Sequence, residues 1–203
     1  IMPIKVDKEY LKTPIIPFDA AEKAHIPVWI TEISDVTPLD TSIQDGLKWA
    51  VTFHNYLTKA NVNAIIWWGG AMPTSNNESL IILNKNRKDY TLSKRYDILG
   101  NYSRYISEGS TRIQVTQPKN KDLLVSAYKK NDKYILVAIN LSEKTISTNI
   151  RLDGANIKGA LKQFITNKDN RWNKTNIVPV SNKYYNLTIP QFSIVTLVGK
   201  VHL

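Results

Sequence analysis

One carboxylate stands out by its position. Glu32 closes the compact apolar run Ile26-Pro27-Val28-Trp29-Ile30-Thr31-Glu32. Where strands alternate with helices, the carboxyl ends of the strands face the active site, and a carboxylate there reads as catalytic. A strand-end Glu can equally cap or pair with a neighbour, and spacing alone leaves both readings open. Trp67 and Trp68 close the next such run, Val62 to Trp68. An aromatic face at a strand end can stack on the apolar face of a sugar ring, or it can fill the core. Neighbouring strand residues point to opposite faces, so at most one of the pair easily faces a site.

Other chemistries find less support. Cysteine is absent, which excludes thiolate ligands, disulfides and a cysteine nucleophile. His25, His54 and His202 lie far apart, with no metal-ligand spacing. His54 falls on an apolar helical stripe and reads as a buried, hydrogen-bonded side chain. Asp35, Asp40 and Glu78 are loop carboxylates, solvated by default. Asp40 or Asp45 has a structural role near a helix start. Gly69-Gly70 lacks the Lys-Ser/Thr of a phosphate loop, and no nucleophile elbow supports a Ser-His-Asp triad.

The elements that must position these residues follow from pattern. Ile1 to Pro17 holds three prolines and reads as loop. Phe18 to Lys23 fits a short helix. Ile26–Glu32 and Val62–Trp68 are too short for core helices and read as buried strands. Between them Ser42 caps a helix, with Asp45 at capping-box spacing and apolar residues at Ile43, Leu47, Ala50, Val51 and Leu57. Ala71 to about Tyr90 reads as a polar loop. A helix from near Ser93 carries Leu99, Tyr102 and Ile106 and ends before Gly109. This β-α-β-α order implies parallel strands with right-handed crossovers. Two strands alone would leave both faces and both edges of such a sheet open.

Near residue 107 the pattern changes to short β-type runs: 112–116, 123–129, 134–140, 145–152, 161–166, 184–189 and 193–199. Lys129-Lys130-Asn131-Asp132 is a hairpin turn. Ile146, Ile150 and Leu152 face one way; Ser147, Asn149 and Arg151 face the other. This spacing predicts an antiparallel sandwich.

Composition sets the bounds. The chain has 203 residues and is 42% hydrophobic, near the globular average. No apolar run is long enough to cross a membrane. The formal charge is +10, from 27 basic and 17 acidic residues. Twenty-one of the basic residues are Lys and six are Arg, spread along the chain. Phosphate readers favour Arg, so nucleic acid is not the expected partner. Lys, Asn and Ile supply 64 residues and share AT-rich codons, which accounts for the Lys surplus. The chain starts at Ile1 with no leader before it, and the expectation is a fragment.

Together these segments resemble a known family. Val28-Trp29-Ile30-Thr31-Glu32-Ile33-Ser34 resembles the Trp-x-Thr-Glu motif around the nucleophile of glycoside hydrolase family 30. Asn61 to Trp68 resembles its eighth barrel strand, and Lys94 to Ile106 its last helix. Val125-Ser126-Ala127-Tyr128 and Leu136-Val137-Ala138-Ile139-Asn140 resemble strands of its appended β-sandwich. The likeness is ordered and collinear from about Pro27 to Gly199, nearest to the bacterial xylanase and glucuronoxylanase branch.

The resemblance implies an α/β plus all-β chain. Residues 1–106 would be the last β/α units of a TIM (β/α)8 barrel. Residues 107–203 would be an antiparallel β-sandwich side domain. It implies a secreted, monomeric, retaining endo-β-1,4-xylanase acting on xylan, with no cofactor, no metal and no nucleic-acid or membrane partner. Glu32 would be the nucleophile, Trp68 the first sugar-stacking residue and Trp67 the second. The acid/base carboxylate of the family ends an earlier strand absent here, so the chain alone is expected to be inactive. Gly69 to Ser75 replaces the Arg- and Tyr-containing loop that reads glucuronate in that branch, which implies glucuronate independence. The nearest Arg is Arg87. The alternatives are a family member acting on glucosyl or fucosyl linkages, or a non-catalytic carbohydrate-binding sandwich using Trp172, Tyr184 or Tyr185.

Overall fold

Ser42 ends an extended stretch, and its hydroxyl accepts a hydrogen bond from the Asp45 N–H, starting a 16-residue helix. In the computed structural model, which describes residues 15–86 and 88–202, this helix is α2 (Ile43–Thr58). Residues 1–14, with most of the proline-rich loop reading, lie outside the described residues, as does Arg87. Helix α1 (Asp19–Lys23) precedes strand β1 (Trp29–Ile33); strand β2 (Ala64–Trp67) follows α2. β1 and β2 pair in parallel, so β1-α2-β2 is one crossover unit. The chain divides into two compact units between Asp97 and Ile98. Among the described residues no helix is long and apolar enough to cross a membrane.

In the first unit, α2 buries Ile43, Leu47, Trp49, Ala50, Val51 and Phe53. The helical period placed Ile43, Leu47, Ala50 and Val51 inside, while Leu57 is only half-buried and Trp49 and Phe53 join the buried face without having been read there. The strands differ from expectation. Both were read as buried, yet β1 has an exposed face, with Trp29 60% exposed. The reason is that α2 covers only one side of this two-stranded sheet. The segment read as a polar loop also differs: it forms the sheet β3 (Ala71–Met72), β4 (Ile81–Leu83) and β5 (Tyr90–Leu92). Strands of two or three residues are too short to show a period. Of the stripe expected on helix α3 (Lys94–Ser103), Tyr102 is buried while Leu99 and Ile106 are half-buried; Lys94, Arg95, Asp97, Ile98 and Asn101 are buried too. Four of these five are polar or charged, which hid them from an apolar count.

The second unit is antiparallel throughout. β6 (Thr111–Ile113), β7 (Leu123–Lys130), β8 (Lys133–Asn140), β10 (Asn156–Thr166), β11 (Asn173–Ile177) and β13 (Ser193–His202) form one sheet, ordered β11-β10-β13-β8-β7-β6. β9 (Ile146–Arg151) and β12 (Tyr184–Ile189) form a separate ribbon. Ribbon residues Ile146, Ile150, Tyr185, Leu187 and Ile189 share one core with Val125, Leu136, Leu161, Val195 and Leu197 of the sheet. Alternation along β9 puts Ile146 and Ile150 inward, as the sequence predicts. β11 escaped the sequence reading because an edge strand with exposed residues needs no apolar face. The hairpin turn sits at Asn131-Asp132, with Asn131 at φ 53°.

Ile98 and later residues of α3 hold to this sheet. The Asn101 amide donates to Thr166 Oγ1 at 2.7 Å, and Thr196 Oγ1 donates to the Asn101 carbonyl at 2.7 Å. Tyr105 stacks on Phe164 with centroids 4.6 Å apart.

Candidate active site

β1 and β2 are not in simple register. Trp29 pairs with Ala64 and Ile30 with Ile65, but the next matched pair is Ile33 with Trp67. Two residues of β1, Thr31 and Glu32, therefore oppose the single Ile66, which is a β-bulge. Trp67 points toward α2, so its register partner Ile33 points there too, as do Ile65 and Ile30. Thr31 and Glu32 are both exposed on the other side of the sheet. Ile66 and Trp68 lie on that same open side and are each about half exposed.

The two tryptophans part company here. Trp67 is 9% exposed. Its ring meets Trp49 edge-on at 4.5 Å and Phe53 at 6.4 Å, and its Nε1 donates to the Glu78 carbonyl at 2.8 Å. Trp67 is thus packed into the core of this unit against Trp49 and Phe53, with little of its ring open. Trp68 is 49% exposed, and its N–H donates to the Ile33 carbonyl at 3.0 Å, prolonging the pairing beside Glu32. The Glu32 carboxylate makes no hydrogen bond to a protein group among the described residues.

A buried polar network holds the loops that follow β1 and β2. Arg95, fully buried, donates to the Asp45 carboxylate at 2.5 Å, the Asp40 carbonyl at 2.6 Å, Asn77 Oδ1 at 2.9 Å and the Ser79 carbonyl at 3.2 Å. Asn77 Oδ1 also accepts from the Asp40 N–H at 2.7 Å, and its amide donates to Thr37 Oγ1 at 3.0 Å. Ser93 Oγ donates to the Leu80 carbonyl at 2.8 Å. Burial raises the Asp45 carboxyl, and the Arg95 charge and hydrogen bond work against that rise. Gly69 turns the chain at φ 78°; a Cβ there would lie 2.8 Å from the Glu78 carbonyl oxygen, so only glycine fits. Sequence reading missed Arg95 and Asn77. Their partners are remote in the chain, and no local signal marks them.

The loop carboxylates have local work. Asp35 accepts from Lys48 Nζ at 2.7 Å and the Thr37 N–H at 2.8 Å. Burial alone would raise its carboxyl; these hydrogen bonds and the Lys48 charge overcome that and hold it at about 2. Asp40 accepts from the Ser42 N–H at 2.8 Å. Glu78, half-buried, accepts from the Asn76 amide at 3.0 Å. His54 is buried in α2. Among the described residues no group of three or more His, Asp or Glu side chains could hold a metal ion.

The aromatics of the second unit also separate. Tyr185 is buried, its hydroxyl 2.9 Å from that of Tyr134. Trp172 packs on Gly100 of α3, with the Arg104 guanidinium 4.4 Å from its ring centre. Tyr184 is the exposed one, 5.9 Å from the Arg151 guanidinium.

The chain is similar to known proteins over most of its length. It is 26% identical to glucuronoxylanase XynC of Bacillus subtilis (strain 168) over 180 residues, covering 84% of this chain and 39% of that protein. Its fold matches the glycoside hydrolase family 30 subfamily 8 xylanase Xyn30A of Clostridium acetobutylicum. The TM-score is 0.79 and the identity 23%, over 93% of this chain and 46% of that one. A family 30 endoxylanase of Clostridium papyrosolvens C71 gives a TM-score of 0.77 at 24% identity, over 91% and 45%. No protein-family model matches the chain. The chain thus spans about two fifths of the length of the curated relatives it matches. The resemblance to family 30 xylanases read from the sequence holds over most of the chain.

Proposed function

We propose that this chain is the C-terminal part of a secreted family 30 endo-β-1,4-xylanase, with Glu32 as its nucleophile. The observation that carries the reading is the open face of β1–β2. A bulge sets the Glu32 carboxylate on the same side as Trp68, beside Thr31 and the apolar side chains of Trp29 and Ile66. In a barrel that face is the interior. On this reading residues 1–106 supply the last β/α units of the barrel and residues 107–203 the β-sandwich side domain.

The mechanism is that of a retaining glycosidase. Glu32 attacks the anomeric carbon and forms a covalent glycosyl-enzyme while a carboxylic acid protonates the leaving oxygen. That acid stands about 5 Å away in retaining enzymes. It is supplied from outside this chain, so the chain alone is inactive. Trp68 offers its exposed ring to a xylosyl unit. The Arg95 network fixes the loops behind Glu32 and Trp68, which limits the motion of both. Two carboxylates suffice, with no metal or cofactor.

We also propose that catalysis does not depend on glucuronate. Reading a carboxylate side group calls for a cation, best a free guanidinium. Residues 69–75 hold no Arg, and the guanidinium of Arg95 is fully buried and bonded to four protein acceptors.

The test uses the complete enzyme. Glu32→Gln should abolish covalent labelling by a mechanism-based xylosyl inhibitor; labelling at the normal rate would overturn the nucleophile. Rates on glucuronoxylan and on linear unsubstituted xylan should be similar. A large preference for glucuronoxylan would overturn the independence.

A further inference from the structure

The +10 charge is not shared between the two units. Residues 1–97 hold 11 basic and 11 acidic residues; residues 98–203 hold 16 basic and 6 acidic, a net charge of +10. A codon bias toward Lys does not explain this, because the second unit is also poor in acids. Lysine is nearly even between the units, nine residues and twelve, so the largest part of the asymmetry is the fall in acidic residues from 11 to 6.

The register shows where part of that charge goes. Lys130 of β7 pairs with Lys133 of β8, Lys133 with Lys200 of β13, and Lys200 with Lys158 of β10. Directly paired residues point to the same face, so four lysines form one row across four adjacent strands. At about 4.8 Å per strand the row spans about 14 Å at the backbone. Like charges directly opposite one another destabilise a sheet. Among the described residues one acid pairs with the row: Asp132, 3.3 Å from Lys200 Nζ, in a pair exposed to water. Lys133 Nζ donates to the Tyr105 carbonyl at 2.8 Å; Lys130 Nζ donates to the Glu108 carbonyl at 2.6 Å and to Ser107 Oγ at 3.2 Å. Neutral acceptors orient these ammonium groups without cancelling their charge. Lys158 and Lys200 are exposed at the other end of the row.

We propose that this lysine row is a docking surface for a carboxylate-bearing polysaccharide, a uronate-substituted xylan, separate from the catalytic face. The choice of xylan rests on the function proposed above; the anionic character of the partner rests on the row. A polymer with carboxylates along its length engages several lysines at once, so weak single contacts add. The composition favours a carboxylated glycan over nucleic acid. The row is all Lys, a compact hydrated charge, with no Arg to fork onto phosphate and no exposed aromatic ring to stack a base. The surface would hold the decorated polymer whether or not the active site reads the decoration.

The test is binding by the 203-residue chain, which requires no turnover and so fails or succeeds independently of the xylanase reading. Retention in native gels cast with glucuronoxylan is compared with retention in the same polymer after reduction of its carboxyls. Retention should require the carboxyls and weaken with salt. Lys158→Glu/Lys200→Glu should weaken it about tenfold, since two exposed charge contacts are reversed. Lys119→Glu/Lys121→Glu makes the same change in net charge away from the row and should leave retention nearly intact. Thermal unfolding of both variants confirms that they fold. Equal loss in the two variants, or retention by the carboxyl-reduced polymer, would overturn the proposal. Tighter binding to DNA or to anionic lipid vesicles than to glucuronoxylan would overturn the choice of partner.

Discussion

Replacing Arg95 by Leu should unfold much of the first unit while sparing the second. The guanidinium is fully buried, and Asp45, 7% exposed, takes its shortest hydrogen bond. Without Arg95 the nearest donor left to that carboxylate is the Asn77 amide at 3.5 Å. The carboxylate then stays buried without its ion pair, with only the more remote Lys48 charge still acting on it, which costs about 3–5 kcal/mol. A domain has about 5–15 kcal/mol in all, so the variant loses a large share of it. With a urea slope of about 2 kcal/mol/M, the midpoint falls by about 2 M.

Tryptophan emission is a suitable probe, because Trp29, Trp49, Trp67 and Trp68 lie in the first unit and only Trp172 in the second. The pH dependence gives a second reading. Burial already raises Asp45 above 3.8, so its ionisation costs stability as pH rises through the folded value, and stability is kept below 3.8. Losing Arg95 raises it further, so the defect should be larger at pH 7 than at pH 4. Arg95→Leu/Asp45→Leu removes both charges and should recover at least about half of the loss. A loss under about 1 kcal/mol in the single variant would place the pair with exposed ion pairs and refute the reasoning. So would a double variant no more stable than the single.

Three further outcomes follow from the same geometry. Trp67→Ala should cost about 3–5 kcal/mol in urea unfolding, as for a buried aromatic, while Trp68→Ala leaves the midpoint nearly unchanged; equal losses would mean the two rings are equally packed. Gly100→Ala puts a Cβ 2.3 Å from Trp172 Cζ2, so Trp172 should swing out and redden the emission, a shift that a Trp172→Phe background removes. The Asp35 carboxyl, held at about 2, contributes stability above its usual 3.8 that is lost as pH falls toward 2. Lys48→Met should flatten that acid limb, and an unchanged slope would mean that Lys48 does not hold the carboxyl down.

How far the sequence speaks depends on how local each signal is. Ser42, Asp45 and the stripe from Ile43 to Val51 lie within one helix, and α2 follows from them. Ile146 and Ile150 alternate within β9 and face the core. β3, β4 and β5 did not declare themselves, because each is too short for a period and exists through pairing with the others. The Arg95 network was equally silent, since Asp45 lies 50 residues away and Asn77 lies 18 away. At the site, alternation alone required Trp67 and Trp68 to face opposite ways. It could not say which ring was open, because that depends on the packing of Trp49 and Phe53 against Trp67. The lysine row was hidden for a similar reason: its members are far apart in sequence and meet only through strand register.

The bulge at Thr31-Glu32 resolves a conflict written into β1. Strict alternation from Ile30, which faces α2, would turn Glu32 toward α2 as well and Ile33 away from it. A carboxylate would then be buried beside Trp49 and Trp67, where the nearby Lys48 ammonium, 5.6 Å from the Trp49 ring centre, is already paired with Asp35, at a cost of several kcal/mol. One extra residue returns Ile33 to the helix side and leaves Glu32 open beside Trp68. The extra residue is Thr31. Its deletion should restore a regular ladder with Glu32 opposite Ile66, still on the open side but aimed differently. In the complete enzyme, folding should survive this deletion, while covalent labelling of Glu32 should fall by about a hundredfold, as expected when a reacting group is displaced by about 1 Å. Labelling at the parental rate in a folded deletion variant would mean that the bulge only keeps the carboxylate out of the core and does not aim it.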